Sequence, residues 1–329
     1  MNQQDIFHKI AAEATSTVPL RIAVGVLTYR RLDGIAKLLE VMTRQVIHPA
    51  RPYHLTMVVV DNDATGSAKA TVETFARTGT YELIYAIEPN QGIPFARNRA
   101  MDAAPPDTDL FCFLDDDEWP VDGWLDAMLE TRETYRADCV YGPVQPVYPE
   151  NPPEYFIKAR VFERKQNQDG QRIGYAASNN VMFDYPLIRS WQLRFEEKMR
   201  YTGGTDYLFF NQAVRQGMKV FWSDKALVYD IVPASRMTWK WVLQRQYRLG
   251  NTFAVSEVLH GNLKRRIYRA TYGAIRVLLG LTMLPAIIVS PYWGMRALTH
   301  VLRGAGMVNG ILGHAYQEYR PSAASERSI

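Results

Sequence analysis

The sequence predicts an α/β protein built on a mostly parallel central sheet with helices on both faces. Three observations carry that prediction. Short apolar runs (residues 21–27, rich in β-branched residues, 57–60 and 110–114) alternate with segments of helical length and period. Each run ends in a polar cluster: Thr28-Tyr29-Arg30-Arg31, Asp61-Asn62-Asp63 and Asp115-Asp116-Asp117-Glu118. Strands separated by helical lengths form βαβ units, and such sheets collect ligands at the carboxyl ends of their strands. No Gly-x-Gly-x-x-Gly follows the first run and no Gly-Lys-Ser/Thr loop occurs, so dinucleotide and P-loop chemistry are disfavoured.

After the first strand, Ile35, Leu38, Leu39 and Met42 follow a helical period. Residues 67–77 read as a helix and residues 81–87 as a third strand, closed by the polar cluster at 88–92. Residues 93–103 form another helix before the strand at 110–114, and residues 123–135 a helix that Asp122 is placed to cap. The second half is less regular. Pro143, Pro146, Pro149, Pro152 and Pro153 crowd a segment with Tyr141, Tyr148, Tyr155 and Phe156, which reads as an ordered, aromatic-lined loop. Residues 165–172 are polar, with a turn at Asp169-Gly170. Strand character returns over 175–183, around Ser178-Asn179-Asn180. Residues 207–216 read as a helix stopped by Gly217, residues 220–222 and 226–229 as short strands, and a long helix begins near Trp239.

At 329 residues, 47% hydrophobic, the chain is long enough for a sizeable core. Cys112 and Cys139 both lie in apolar runs and read as small core hydrophobes rather than a disulfide. Residues 1–18 show no apolar stretch behind a basic head, so no secretory signal is expected. The net charge of +4 does not suggest a nucleic-acid partner.

The acidic tetrad is the most informative feature. Four consecutive carboxylates repel one another and need a cation or hydrogen-bond donors to neutralise them. At a strand end facing a crevice they suit a metal–phosphate site; the blander alternative is a solvated acidic turn before a helix.

With their order and spacing, these residues resemble glycosyltransferase family 2, whose nucleotide-sugar-binding fold is called GT-A. The resemblance covers roughly residues 20–251, and within the family the chain is similar to bacterial exopolysaccharide transferases of the succinoglycan type. It implies a nucleotide lying along Thr28, Tyr29 and Arg30, with Asp61 accepting a hydrogen bond from uracil; an Asx-stabilised turn is the alternative for Asp61. Asn90-Gln91-Gly92 followed by Ala96-Arg97-Asn98 matches a family element that presents Gly92, a helix amino end and Arg97 to phosphate or ribose. Arg97 and Arg99 have an alternative as exposed helix cations. The tetrad matches the family's Asp-x-Asp element, with Asp115 near the ribose, Asp116 or Glu118 as supporting acceptors, and Asp117 binding Mg²⁺ or Mn²⁺ that bridges the donor's diphosphate. In Thr202-Gly203-Gly204-Thr205-Asp206, Asp206 matches the catalytic base and Thr205 stands where relatives carry Glu; the alternative for Asp206 is a helix cap. Asn180 matches an Asn near the transferred sugar. Arg236, with Arg245 and Arg248, is placed to close over the diphosphate, although Arg245 and Arg248 also suit a solvated helix face.

No acid occurs between Glu257 and Glu318, while Lys264, Arg265, Arg266, Arg269, Arg276, Arg296 and Arg303 do. The apolar stretch at 277–295 lies within. It is long enough to span a bilayer, but Pro285 and Pro291 interrupt it and arginines flank both ends, without positive-inside asymmetry. The reading is a helical hairpin or interfacial helices on an anionic membrane surface, at the cytoplasmic face of the inner membrane; a core helix or oligomer contact is the alternative. The expected organisation is an N-terminal extension (1–19), a catalytic domain (20–259, with a nucleotide half at 20–142 and an acceptor half at 143–259), and a membrane-associated helical region with a polar tail (260–329). The expected function is inverting, metal-dependent transfer of a hexose from a UDP-sugar donor to a lipid-linked saccharide acceptor. The alternatives are a sugar nucleotidyltransferase, against which residues 28–33 lack the glycines, and a non-catalytic sugar- or lipid-binding protein.

Overall fold

The computed structural model describes residues 19–45, 52–76 and 80–317. Nearly all of the expected N-terminal extension, Arg77 of the expected helix at 67–77 and the tail beyond 317 lie outside the described residues.

The chain begins with β1 (Leu20–Thr28), α1 (Leu32–Met42), β2 (Tyr53–Asp61), α2 (Lys69–Glu73), β3 (Glu82–Ile87), α3 (Ile93–Ala103) and β4 (Leu110–Asp115). It continues through β5 (Glu118–Pro120), α4 (Trp124–Tyr135), β6 (Cys139–Tyr141), β7 (Val144–Val147), α5 (Glu154–Lys158), β8 (Arg172–Ile173), β9 (Val181–Asp184) and α6 (Tyr185–Ser190). The last elements are α7 (Thr205–Arg215), β10 (Val220–Trp222), β11 (Val228–Ile231), α8 (Trp239–His260), α9 (Leu263–Met283) and α10 (Pro291–Ile311).

An eight-stranded sheet has the order β3-β2-β1-β4-β9-β6-β10-β8, and a three-stranded sheet the order β5-β11-β7. In the large sheet β9 and β8 alone run against the rest, so it is mostly parallel as expected. The inner strands read as unbroken apolar runs because both faces are covered. Ile22, Val24 and Val26 face the layer of Leu38, Leu39 and Leu129, while Ala23, Phe111 and Phe113 face Ala96, Ala100 and Phe209. Cys112 and Cys139 are buried free thiols, both pushed above the usual thiol range by desolvation. The chain leaves β1 for β2 and β3 on one side and returns to β4 on the other. That reversal opens a crevice where β1 and β4 end, with Leu27 opposite Asp115.

Several expected elements are shorter or differently closed. The helix at 67–77 reduces to α2 and following turns. The strand at 175–183 narrows to β9, because Asn180 adopts φ 77° and interrupts the extended backbone. The strand at 226–229 lies instead at Val228–Ile231. Asp122 does not cap α4: Gly123 in the left-handed region is the N-cap, without a side-chain bond, and α4 is held by the burial of Trp124, Leu125, Met128 and Leu129. The proline-rich segment is ordered and aromatic-lined, with Tyr155 stacked on Trp239 at 5.8 Å and Phe162 on Trp241 at 5.7 Å.

The apolar stretch at 277–295 divides into the end of α9, a 3-10 turn at Leu284–Ile288 and the start of α10, giving a helical hairpin. Pro291 opens α10, where its missing N–H costs nothing. Helix α10 returns along α8 and buries Met295, Ala297 and Met307. Helix α9 is left on the outside, with Ile267, Ile275, Leu278 and Leu281 exposed. Leu263–Ile288 is the one segment among the described residues long and apolar enough to cross a membrane, and little of it is buried.

Candidate active site

The tetrad forms the turn between β4 of the large sheet and β5 of the small one, and each carboxylate has a different set of neighbours. Asp116 is buried; it accepts from Thr28 Oγ1 at 2.9 Å and Arg31 Nη1 at 3.0 Å. Arg31 Nη1 also donates to Asp117 at 2.7 Å, so one guanidinium holds two acids. This contact needs α1 close to the turn. A Cβ at Gly34 would lie 2.4 Å from the Asp116 carbonyl oxygen, a distance no side chain tolerates. Asp117 keeps 26% of its side chain exposed and lies 3.9 Å from Arg236.

Glu118 is turned inward. It accepts from Asn179 Nδ2 at 2.8 Å and from the Asp115 N–H at 3.3 Å, and Arg164 stands 3.7 Å from both Glu118 and Asp230. Burial pushes the Asp115 carboxyl up to about 7, opposed by Arg97, and Asp116 up to about 6, opposed by Arg31. Glu118 is raised well above the ordinary range by burial and by Asp115. Asn179, which donates to Glu118, keeps its Oδ1 buried without a hydrogen-bond partner.

These groups fit a hard divalent cation. Carboxylate oxygens gathered at one turn, with Asp117 the member left partly exposed, are the hard donors that suit Mg²⁺ or Mn²⁺. Among the described residues no three His, Cys, Asp or Glu side chains form a metal cage. A cation here would be held by Asp117 and by oxygens that the protein does not supply.

A cationic wall faces the tetrad from the second half of the chain. Arg164 and Arg236 meet Asp230 and Asp117, while burial and the neighbouring Arg164 and Arg248 push Arg245 down to about 10. Arg236 and Arg245 both lie over the Trp241 ring, at 5.6 and 5.3 Å. Guanidinium forks gathered on one wall match the oxygens of a phosphate chain.

Asp206 sits in the first turn of α7 and is half-buried, its Oδ1 accepting the Tyr207 N–H at 2.8 Å. The N-cap is Gly204, so Asp206 is not the cap. Arg97 is not an exposed helix cation: it is buried, lies near Asp115, and donates to Thr205 Oγ1 at 3.0 Å. Thr205 thus accepts a contact of its own. Asn98 exchanges hydrogen bonds with the Phe195 backbone, tying α3 to the segment that leads into α7. Arg99 is exposed. Tyr141 is buried within electrostatic reach of Arg164, Glu118 and Asp206.

Three expected contacts are revised by the geometry. Asp61 is 0% exposed; its oxygens accept from the Asp63 and Ala68 N–H groups and the Tyr85 hydroxyl, so it anchors the Asx turn and does not face the crevice. Asn180, also 0% exposed, donates to the Pro143 and Ala226 carbonyls and accepts from Trp124 Nε1, each at 2.7 Å; it is a core latch rather than a sugar contact. Gly92, at φ 145°, caps α3, but its N–H is taken by Asn62 Oδ1 at 2.8 Å. Tyr29 is exposed at the crevice rim, and Arg30, at φ 55°, pairs with Asp63 at 2.6 Å.

Arg31, Arg164, Asn179 and Asp230 escape a reading of the sequence. Arg31 carries a local signal, a second basic residue at the first strand end. Arg164 and Asp230 carry none: Asp230 meets the tetrad through the β5–β11 pairing that sets it opposite Glu118, and Arg164 comes from the irregular segment between α5 and β8.

Residues 23–190 match the model of Glycosyl transferase family 2. The succinoglycan biosynthesis protein ExoM of Rhizobium meliloti (strain 1021) is 30% identical over 299 residues, which are 89% of this chain and 94% of ExoM. The mannosyltransferase PcManGT of Pyrobaculum calidifontis, solved with GDP-Man and Mn²⁺, superimposes with a TM-score of 0.58 at 17% identity, covering 89% of this chain and 88% of that one. TarS 1-349 of S. aureus, in complex with UDP-GlcNAc, superimposes with a TM-score of 0.52 at 15% identity over 92% and 93% of the two chains. The chain spans 43% of the longer TarS chain. A GT-A-like sheet, the extent of the family match and the near full-length likeness to ExoM lead to one conclusion: this chain belongs to glycosyl transferase family 2 and is a glycosyltransferase.

Proposed function

We propose that the chain transfers a hexose from a UDP-sugar to a hydroxyl of a lipid-linked saccharide in bacterial exopolysaccharide synthesis, inverting the anomeric centre. The observation that carries this reading is the convergence of the acidic turn, the arginine wall and Asp206 on the crevice between β1 and β4. The likeness to ExoM supports the polysaccharide setting.

In this reading the nucleoside lies along Thr28, Tyr29 and Arg30, and the diphosphate lies between Asp117 and the guanidiniums of Arg164, Arg236 and Arg245. When bound at Asp117, Mg²⁺ or Mn²⁺ offsets the negative charge that grows on the leaving diphosphate. Asp206 takes the proton of the acceptor hydroxyl as that oxygen bonds to the anomeric carbon and the bond to the diphosphate breaks. One displacement from the face opposite UDP inverts the centre. No second carboxylate is assigned as a nucleophile for a double displacement. Arg97, through Thr205, positions the start of α7 and hence the base. The α9–α10 hairpin, acid-free and apolar outside, rests on the cytoplasmic face of the inner membrane, where the acceptor resides.

The test is transfer from a panel of radiolabelled nucleotide sugars into lipid-extractable product of a membrane fraction. Wild type should label product from a UDP-sugar. Asp206→Asn should lose on the order of 10²-fold or more in rate with UDP affinity unchanged, because an amide keeps the shape but accepts no proton. Near wild-type turnover by that variant would place the base elsewhere.

A further inference from the structure

The hairpin carries a charge cluster that the donor site does not use. Arg276 on α9 and Arg296, His300 and Arg303 on α10 converge: His300 lies within electrostatic reach of all three guanidiniums, and Arg303 of Arg276. The α10 members follow a spacing of four and three, which keeps them on one helix face. Among the described residues the ion pairs of α9 and α10 reduce to Arg269 with Glu257, at 3.8 Å. The Nε atoms of Arg276, Arg296 and Arg303 and Nδ1 of His300 are buried without hydrogen-bond partners. Burial and these guanidiniums hold His300 below the ordinary imidazole range. Like charges gathered in a half-buried place are costly without an anion, and guanidinium forks match phosphate oxygens.

Two further features say which anion. The cluster connects inward to the proposed base. The Arg303 and Arg269 guanidiniums lie 5.5 and 5.4 Å from the ring of Phe253 on α8. The Tyr207 ring, next in sequence to Asp206, packs on the same Phe253 ring in a T-shaped contact at 4.7 Å. The cluster also borders an apolar surface: Ile275, Leu278 and Leu279, around Arg276 on α9, are exposed. Phosphate-binding groups with apolar surface on one side and a glycosyltransferase base on the other fit an amphiphile that bears both phosphate and sugar.

We propose that Arg276, Arg296, His300 and Arg303 bind the phosphate or diphosphate head group of a membrane lipid, with the chain of that lipid against α9 and its sugar directed past Phe253 towards Asp206. The direction of the sugar rests on the lipid-linked acceptor reading; the phosphate site stands without it. Phospholipids and a polyprenyl-diphosphate acceptor share this head-group chemistry.

The test is flotation of the full chain with vesicles of phosphatidylcholine alone, with phosphatidylglycerol, or with a polyprenyl diphosphate at matched charge. The variants are the triple Arg276→Gln, Arg296→Gln, Arg303→Gln and the corresponding triple Lys. Each basic group at an anionic surface contributes several-fold, so the Gln triple should bind anionic vesicles on the order of a hundredfold more weakly. The Lys triple should retain most of the binding, and UDP affinity, measured by calorimetry, should be the same for all three proteins. Preference for polyprenyl diphosphate assigns the site to the acceptor, and equal binding of both anionic vesicles assigns it to bulk phospholipid; either supports the proposal. It is overturned if the Gln triple floats like wild type, or if inorganic pyrophosphate binds the cluster while no anionic vesicle does. A wild-type protein that floats normally yet transfers no sugar to lipid counts against the acceptor reading and not against the phosphate site.

Discussion

Replacing Asn180 by alanine separates a latch in the core from a contact to sugar. Its side chain makes three hydrogen bonds of 2.7 Å in a fully enclosed site, to Trp124 Nε1 and to the carbonyls of Pro143 and Ala226. Pro143 keeps a second partner, since its carbonyl also accepts the Val228 N–H at 3.0 Å. Truncation therefore strands mainly the Trp124 donor and the Ala226 carbonyl, at about 1.5 kcal/mol each. Alanine at φ 77° adds about 1 kcal/mol that asparagine tolerates better. The total is about 4 kcal/mol, which for a chain of this size lowers the unfolding midpoint by roughly 6 °C. Thermal unfolding followed by circular dichroism measures the shift, and UDP affinity well below the transition should stay unchanged. If the midpoint moves by less than about 2 °C while transfer collapses, Asn180 acts on substrate and the latch reasoning is wrong.

Three more outcomes follow from the site. UDP binding by calorimetry should strengthen with Mn²⁺ or Mg²⁺, and Asp117→Ala should abolish most of that gain; equal affinity in excess chelator would remove the metal from the reading. Gly34→Ala should push α1 off the Asp116 carbonyl and cost about 1–3 kcal/mol as an overpacked contact. It should also weaken UDP binding, because Arg31 moves with the helix; a variant with unchanged stability would show that the turn yields freely. Burial raises Asp115 to about 7 and Asp116 to about 6, so the folded protein holds more protons than the unfolded chain from about pH 4 upward. The stabilisation from these groups is complete below about pH 4 and is lost progressively as pH rises from there to 6 for Asp116 and to 7 for Asp115. The difference in unfolding midpoint between metal-free wild type and Asp116→Asn should shift against wild type across that window, and a constant difference would contradict the raised values.

Much of the frame is legible in the chain. A strand buried on both faces must be an unbroken apolar run, so β1, β2 and β4 declare themselves, and a polar cluster must close each one where the sheet ends. Proline and glycine within 277–295 likewise announce a broken helix, which the 3-10 turn between α9 and α10 realises. Composition does not say which polar side chain at a strand end turns outward. Asp61 and Asn180 are eligible for ligand by residue type, yet the N–H groups of its own turn and Tyr85 consume the hydrogen bonds of Asp61, and Trp124 with the Pro143 and Ala226 carbonyls those of Asn180. Arg31 and Asp230 join the tetrad only once α1 is seated by Gly34 and β11 pairs with β5. The arginine–histidine cluster of the hairpin exists because α9 and α10 pack antiparallel. Local pattern determined the strands and their polar ends, because burial and backbone hydrogen bonding act residue by residue. Tertiary packing decided the partners, because charge and hydrogen bonding depend on distances that sequence separation does not encode.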